Sequence, residues 1–463
     1  MERISLHQIA TAVHGQLIGD VGGEATVASV CTDSRKIDRE SLFIPLVGEK
    51  FDGHDYIASA LEGGAVAAIT ARAVTQPIPG KSYILVEDTQ TALGELASWY
   101  RSQFDSPVVA VTGSVGKTTT KDMVAAVLGE KYHVLKTDGN FNNNIGLPMT
   151  IFRLERTHEI AVLEMGMNHM GEIDYLTRIA RPDVAIITNV GDAHIENMGC
   201  RENTLKAKAE IFAGMTGKGV AVLNGDDPLL RTLEGELEQE ILWCGGGEDC
   251  AWRVTELEEH WSDHMVCVMN TPTTTWSQEI PGLGAHMIYP ASMAAAVGRM
   301  YGVSDEQITR GILLFEPTKM RMAILHRGDN ITILNDTYNA NPQSMRAAVD
   351  ILSKQNCAWR IAVLGDMLEL GDLGPALHQG VGQFLRAAGI DCLITVGKLG
   401  EYIADGAEGG HVIIHRCSNQ AEAQIALNGA VRPGSTILVK ASRGMQFEHL
   451  VDYLVELTAE CES

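Results

Sequence analysis

The sequence predicts an α/β protein built as three domains. Short β-branched runs alternate with helical stretches through most of its 463 residues, the pattern of parallel sheets covered on both faces. A glycine-rich turn joins one of these runs, Val108–Thr112, to a helical stretch that starts at Lys117. Two proline-bearing breaks, Ser102–Pro107 and Glu316-Pro317, divide the alternation. The expected domains are 1–104, 105–316 and 317–463. The first is a small α/β domain, the second a central parallel-sheet domain and the third a Rossmann-like α/β domain.

In the first domain, apolar stretches place strands at Ser41–Val47 and Ala65–Thr70, and helices at Ile57–Glu62 and Thr91–Arg101. Asp52-Gly53 is a turn signal. In the second, strands are expected at Val108–Thr112, Ile160–Glu164, Val184–Val190 and Gly219–Asn224, with a helix at Lys117–Gly129. Trp243–Ser277, richer in tryptophan and threonine, reads as an antiparallel extension. In the third, strands are expected at Ile331–Asn335, Ile361–Leu364, Leu393–Val396, Val412–His415 and Thr436–Lys440. The helices there are Gln343–Lys354, Pro375–Ala388 and Gln420–Leu427.

Composition narrows the function. Apolar residues make up 45% of the chain, enough for sizeable cores. The formal net charge of −23 argues against a broad nucleic-acid surface, which needs a basic footprint. Any anionic ligand must be held by local cations, helix N-termini or a metal ion. The nine cysteines are scattered and form no C-x-x-C, which fits a reducing compartment better than a disulfide framework. The first residues, MERISLHQIA, have no basic flank and long apolar core. No apolar run is long enough to span a bilayer. The expectation is a cytoplasmic monomer that does not insert in membranes.

The motif with the clearest chemistry is Gly113-Ser114-Val115-Gly116-Lys117-Thr118-Thr119. Glycines let backbone N–H groups close on phosphate oxygens, and the following helix adds its positive end. Lys117 is placed to reach the β- and γ-phosphates of ATP, and the Thr118 hydroxyl to bind Mg²⁺. The usual spacing puts a glycine at position 111, where this chain has Val111 and carries Gly113 instead. Such a loop serves kinases, GTPases, motors and ligases alike.

Other residues narrow the reading. Glu164 ends a strand, so it faces the ligand crevice and could hold Mg²⁺. His194 follows another buried run and could bind metal or phosphate, although a lone loop histidine more often bonds backbone. Lys208 lies on a helical stretch, where lysines are usually solvated. A neutral amine there could take up CO₂ as a carbamate. Asn140, Asn142 and Asn143 belong to an asparagine-rich tract suited to a polar uncharged substrate, and also to turns.

Together these segments resemble the Mur ligase family over nearly the whole chain. The N-terminal segments Asp33–Lys36, Leu42–Leu46 and Gly48–His54 resemble the family's UDP-sugar-binding domain. The central segments are TGSVGKTT, TDGNFNNNIGLP, LEMGMN, NVGDAHIENMG and KAKAEIF, and the C-terminal ones DTYNANP, LGDMLELG and VKASRG. DTYNANP and LGDMLELG resemble the member that adds D-alanyl-D-alanine and separate it from its sister ligases.

The resemblance implies residue roles. Ser34 and Arg35 fall in the uridine-binding segment. Thr118, Glu164 and His194 would hold Mg²⁺, and Lys208 matches a lysine carbamylated in several members. Arg321 and Asp336 match positions that close over the nucleotide, while Asn339 and Asn341 fall in a substrate-binding motif. The family's H-N-x-x-N, whose asparagines contact adenine, is replaced by His286-Met287-Ile288-Tyr289-Pro290. The implied substrates are ATP, a UDP-linked muramoyl peptide and D-alanyl-D-alanine, joined through an acyl phosphate. Closure would hinge near Pro107 and Pro317. The alternatives are another Mur or folylpolyglutamate-type ligase, or a P-loop kinase.

Overall fold

The computed structural model describes residues 1–19, 24–193, 195–215, 217, 219–260 and 263–459. They form an α/β protein with several parallel or mixed sheets. The chain divides into two compact units. One comprises residues 1–112, 132–185 and 209–220, the other residues 113–131, 186–208 and 221–463.

The first unit holds a five-stranded sheet in the order Gln16–Gly19, Ser82–Leu85, Ala67–Thr70, Ser41–Phe43, Ser29–Cys31. Its first pair is antiparallel and the rest are parallel. The strand expected at Ser41–Val47 ends at Phe43. Pro45 has no N–H to give a ladder, and Ile44 donates back to the Cys31 carbonyl. The same unit carries the parallel strands Val134–Lys136, Ile160–Glu164 and Val108–Thr112, in that order. The register pairs Glu164 with Val111. Every residue of Val108–Thr112 and of Ile160–Glu164 is buried.

The segment near Pro107, where a hinge is expected, is braced in this structure. Arg101, the buried last residue of the helix Thr89–Arg101, donates to the carbonyls of Phe104, Ser106 and Ala180. The Tyr100 hydroxyl donates to the Leu154 carbonyl and accepts from the Glu2 N–H. Buried this way, the phenol is pushed up to about 12. These bonds fix residues 1–104 to the strand layer behind them.

The second unit begins with the turn at Gly113 and the helix Lys117–Gly129. The expected extension is present as antiparallel strands Trp252–His260, His264–Asn270 and Thr275–Pro281. Glu240–Gly245 pairs with the first of them in parallel. The unit also carries a six-stranded sheet. Its order is Ala323–Arg327, Ile331–Asn335, Ser435–Lys440, Trp359–Gly365, Cys392–Val396, Ile413–Cys417. Only the first pair is antiparallel. Alternate residues along Trp359–Gly365 feed two cores. Ala362 and Leu364 pack with the helices Pro342–Lys354 and Gly374–Ala387. Ile361 and Val363 pack with Gln420–Ala430 and Glu448–Leu457. This is the two-faced covering that a parallel sheet requires. Asn335-Asp336 and Lys440 therefore lie at the carboxyl ends of adjacent parallel strands, where α/β sheets bind ligands.

Candidate active site

The phosphate loop is held open by backbone geometry. Gly113 has φ +150°, and a Cβ there would lie 1.8 Å from Thr188 Oγ1. Gly116, at φ +83°, is left-handed and starts the helix Lys117–Gly129. Asn189 clamps the loop from both sides: its Oδ1 accepts from the Val115 N–H at 3.0 Å and its Nδ2 donates to the Val115 carbonyl at 2.9 Å. The Thr188 hydroxyl donates to that same carbonyl, and the Gly191 N–H donates to Ser114 Oγ. Lys117 Nζ folds over the loop and donates to the Gly113 carbonyl at 2.7 Å. Thr118 is buried, and Thr119 follows it in the first turn of the helix. Lys208 is only 2% exposed, and its amine is pushed well below its ordinary value, first by burial and then by the Lys117 charge.

In the same unit Arg321 stacks on the Tyr338 ring and donates to Thr118 Oγ1 at 3.0 Å. Asp336 accepts from the Met322 N–H and pairs with Lys440, itself 2% exposed. Lys440 also donates to the Asn339 carbonyl. The Asn341 Oδ1 caps the helix Pro342–Lys354 through the Ser344 N–H. Its acceptor is thus occupied by helix formation. Met287 is buried apolar surface beside Gly282. Pro290 is buried in the first turn of the helix Ile288–Met300, where its missing N–H costs nothing. The Tyr289 phenol between them is pushed well up by burial and by the Asp226 carboxylate.

In the first unit Glu164 is 2% exposed. Its Oε1 accepts from Asn142 Nδ2 at 2.8 Å, while Oε2 is buried without a partner. Asn143 Oδ1 accepts from the Ile145 and Gly146 N–H groups, so it makes the turn, and Asn140 is exposed. Ser34 and Arg35 form a short 3₁₀ turn capped by Asp33. Arg35 pairs with Asp33, which falls to about 2, chiefly through that hydrogen bond. The Arg35 side chain stays 85% exposed. His194 lies outside the described residues.

Each unit carries an oxygen of the kind Mg²⁺ takes. Among the described residues no group of three or more His, Cys, Asp or Glu side chains is arranged to hold a metal. Mg²⁺ usually takes only one or two protein oxygens and completes its shell with phosphate and water. In the first unit the buried, unpartnered Glu164 Oε2 is such an oxygen, and in the second unit the buried Thr118 supplies a hydroxyl. Asn189 and Lys440 were not singled out by sequence. Asn189 could have been noticed at the end of a buried run, but Lys440 acts through partners more than 100 positions away.

A glycine-rich loop opening a helix, a buried lysine whose charged form is disfavoured, and charged strand ends define a phosphate-handling α/β enzyme. The chain belongs to the Mur ligase family. The family's "catalytic domain" matches residues 26–101, its "middle domain" residues 111–298 and its "glutamate ligase domain" residues 320–443. The chain is 40% identical to the UDP-N-acetylmuramoyl-tripeptide--D-alanyl-D-alanine ligase of Bacillus subtilis (strain 168), covering 98% of this chain and 99% of that one. It is 35% identical to the enzyme of the same name from Escherichia coli (strain K12), with coverage of 98% and 99%. A crystal structure of MurF from Acinetobacter baumannii superposes with a TM-score of 0.92 at 33% identity, over 98% of this chain and 99% of that one. The Thermotoga maritima MurF ligase in complex with ADP gives 0.83 at 28% identity, over 92% and 97%.

Proposed function

We propose that this chain uses ATP to join D-alanyl-D-alanine to a UDP-N-acetylmuramoyl tripeptide, releasing ADP and phosphate. The observation that carries this is likeness along 98% of the chain to ligases of that name. The reaction is a step of peptidoglycan synthesis, and through it serves cell shape and division. The protein works as a cytoplasmic monomer with domains at 1–104, 105–316 and 317–463.

A carboxylate must be activated before an amine can displace its oxygen. The terminal carboxylate of the tripeptide attacks the γ-phosphorus of ATP and gives an acyl phosphate and ADP. The loop Gly113–Thr119 holds the phosphates, and Lys117 moves from the Gly113 carbonyl to the phosphoryl oxygens, where charge spreads in the transition state. Thr118, Glu164 and His194 would hold Mg²⁺, which would supply further neutralisation of that charge. Arg321 and Asp336 contact the nucleotide from the third domain. The amine of D-alanyl-D-alanine then attacks the acyl carbon, loses a proton and expels phosphate. Ser34 and Arg35 hold the UDP portion, and Asn140, Asn143, Asn339 and Asn341 line the path of the peptide. Lys208, whose burial favours the neutral amine, adds CO₂ with loss of a proton and becomes an anionic carbamate able to support the cation.

The test is phosphate release from ATP with each substrate alone and with both. Release that requires the UDP-linked tripeptide together with D-alanyl-D-alanine supports the ligase. Release that ignores D-alanyl-D-alanine refutes it.

A further inference from the structure

We infer that Asn142 is a positioning residue for Glu164, rather than the substrate contact its place in an asparagine tract suggests. The inference rests on the proposed role of Glu164 as a metal ligand.

Glu164 is 2% exposed, yet its two oxygens are treated differently. Oε1 receives the Asn142 amide at 2.8 Å, and Oε2 has no partner. A buried carboxylate with one bare oxygen is costly unless a cation completes it. A neutral amide on one oxygen fixes the carboxylate plane without cancelling its charge. The other oxygen is thereby left aimed and unpartnered.

Asn142 is itself held rigidly. Its N–H donates to the Asn140 carbonyl at 2.7 Å, and its carbonyl accepts from the Gly166 N–H at 2.8 Å. Gly166 lies two residues beyond Glu164, and a Cβ there would come within 2.9 Å of Asn142 Oδ1. The absent side chain is what admits the amide. The Glu164 N–H donates to Thr137 Oγ1 at 3.0 Å, so the backbone beneath the carboxylate is tied as well. One of the two N–H donors of that amide is committed to Glu164. Residues that orient a metal ligand typically change metal affinity by about 10–100-fold when removed.

The experiment measures Mn²⁺ binding to the full-length protein with ADP by electron paramagnetic resonance, beside steady-state KM values. Asn142→Ala should weaken Mn²⁺ binding about tenfold and leave ADP binding without metal unchanged. The KM values for the UDP-linked tripeptide and D-alanyl-D-alanine should stay within about twofold of wild type, since uniform substrate contacts are untouched. Gly166→Ala, which displaces the amide without altering either partner, should reproduce this loss. In a Glu164→Gln background Asn142→Ala should add nothing further, because the two act as one unit. Wild-type Mn²⁺ affinity in Asn142→Ala, with a raised substrate KM, would overturn the inference. Mn²⁺ binding is read without ligation. A protein that passes these tests yet fails to join its substrates would sink the proposed reaction and leave the role of Asn142 standing.

Discussion

Arg321 Nη2 donates to the Thr118 hydroxyl oxygen at 3.0 Å, the oxygen proposed to bind Mg²⁺. The guanidinium therefore stands where a cation is wanted. It is carried on a strained segment: Met320 and Met322 on either side have φ of +66° and +50°. Left-handed backbone at bulky residues costs energy and persists where the surroundings enforce it. Stacking on Tyr338 is one such constraint.

The first prediction concerns this competition. Mg²⁺ must displace Arg321 from Thr118, so part of its binding energy is lost to breaking a charged hydrogen bond. Such bonds are worth about 1.5–3 kcal/mol, less where solvent reaches them. In Arg321→Ala the gain in ADP affinity on adding Mg²⁺ should exceed the wild-type gain by roughly fivefold or more, as about 1 kcal/mol implies. Calorimetric titration of ADP with and without Mg²⁺ gives both gains. Equal gains would mean that Arg321 does not compete.

Lys117→Ala should lower kcat by roughly 10³-fold, the scale for removing a preorganised charge from the transition state. The fold should survive, since the visible contacts of Lys117 are to loop carbonyls. Phosphate release and thermal melting on the same sample separate the two effects. Near-wild-type turnover would remove Lys117 from the chemistry.

Lys208 yields a prediction with a sign. Its folded pKa lies well below its unfolded one because burial, and then Lys117, penalise the charged form. Below the unfolded value of 10.5 the unfolded chain takes up a proton that the folded chain refuses. The lysine therefore destabilises the fold across the neutral range, and the penalty stops growing only below the folded pKa. With CO₂ removed, Lys208→Met should melt higher than wild type at pH 7 and lose ligase activity. Wild-type activity should fall when CO₂ is stripped and return with bicarbonate. Indifference to CO₂ would refute the carbamate.

The strands and the phosphate loop were legible because they depend on local pattern. Val108–Thr112, Ile160–Glu164, Ile331–Asn335 and the helix Lys117–Gly129 match their expected limits, each being a β-branched run or helical stretch with clear ends. The asparagines were less legible, since one residue type serves several roles. Asn143 makes a turn, Asn341 caps a helix, Asn142 orients Glu164 and Asn189 clamps the phosphate loop. Spacing cannot sort these, because each role is decided by which partner the fold delivers. Lys440 was hidden for the same reason: its pairing with Asp336 exists only once Ile331–Asn335 and Ser435–Lys440 lie side by side.

His378 supplies a pH-dependent stability test away from the site. Its Nε2 accepts from the Met367 N–H at 2.8 Å, and its Nδ1 donates to the Gly374 carbonyl at 2.7 Å. The accepting nitrogen requires the neutral ring, and burial lowers the pKa below 6.5. Above that value both folded and unfolded chains are neutral, and His378 adds no pH dependence. As pH falls through 6.5 the unfolded chain binds a proton first, so stability drops until the folded pKa is reached. His378→Gln removes the titration. It should lower stability at pH 7.5 by loosening the bonds to Met367 and Gly374, yet lose less than wild type between pH 7.5 and 5.5. Urea unfolding at the two pH values measures this difference. Equal losses in both proteins would show that another group carries the acid sensitivity.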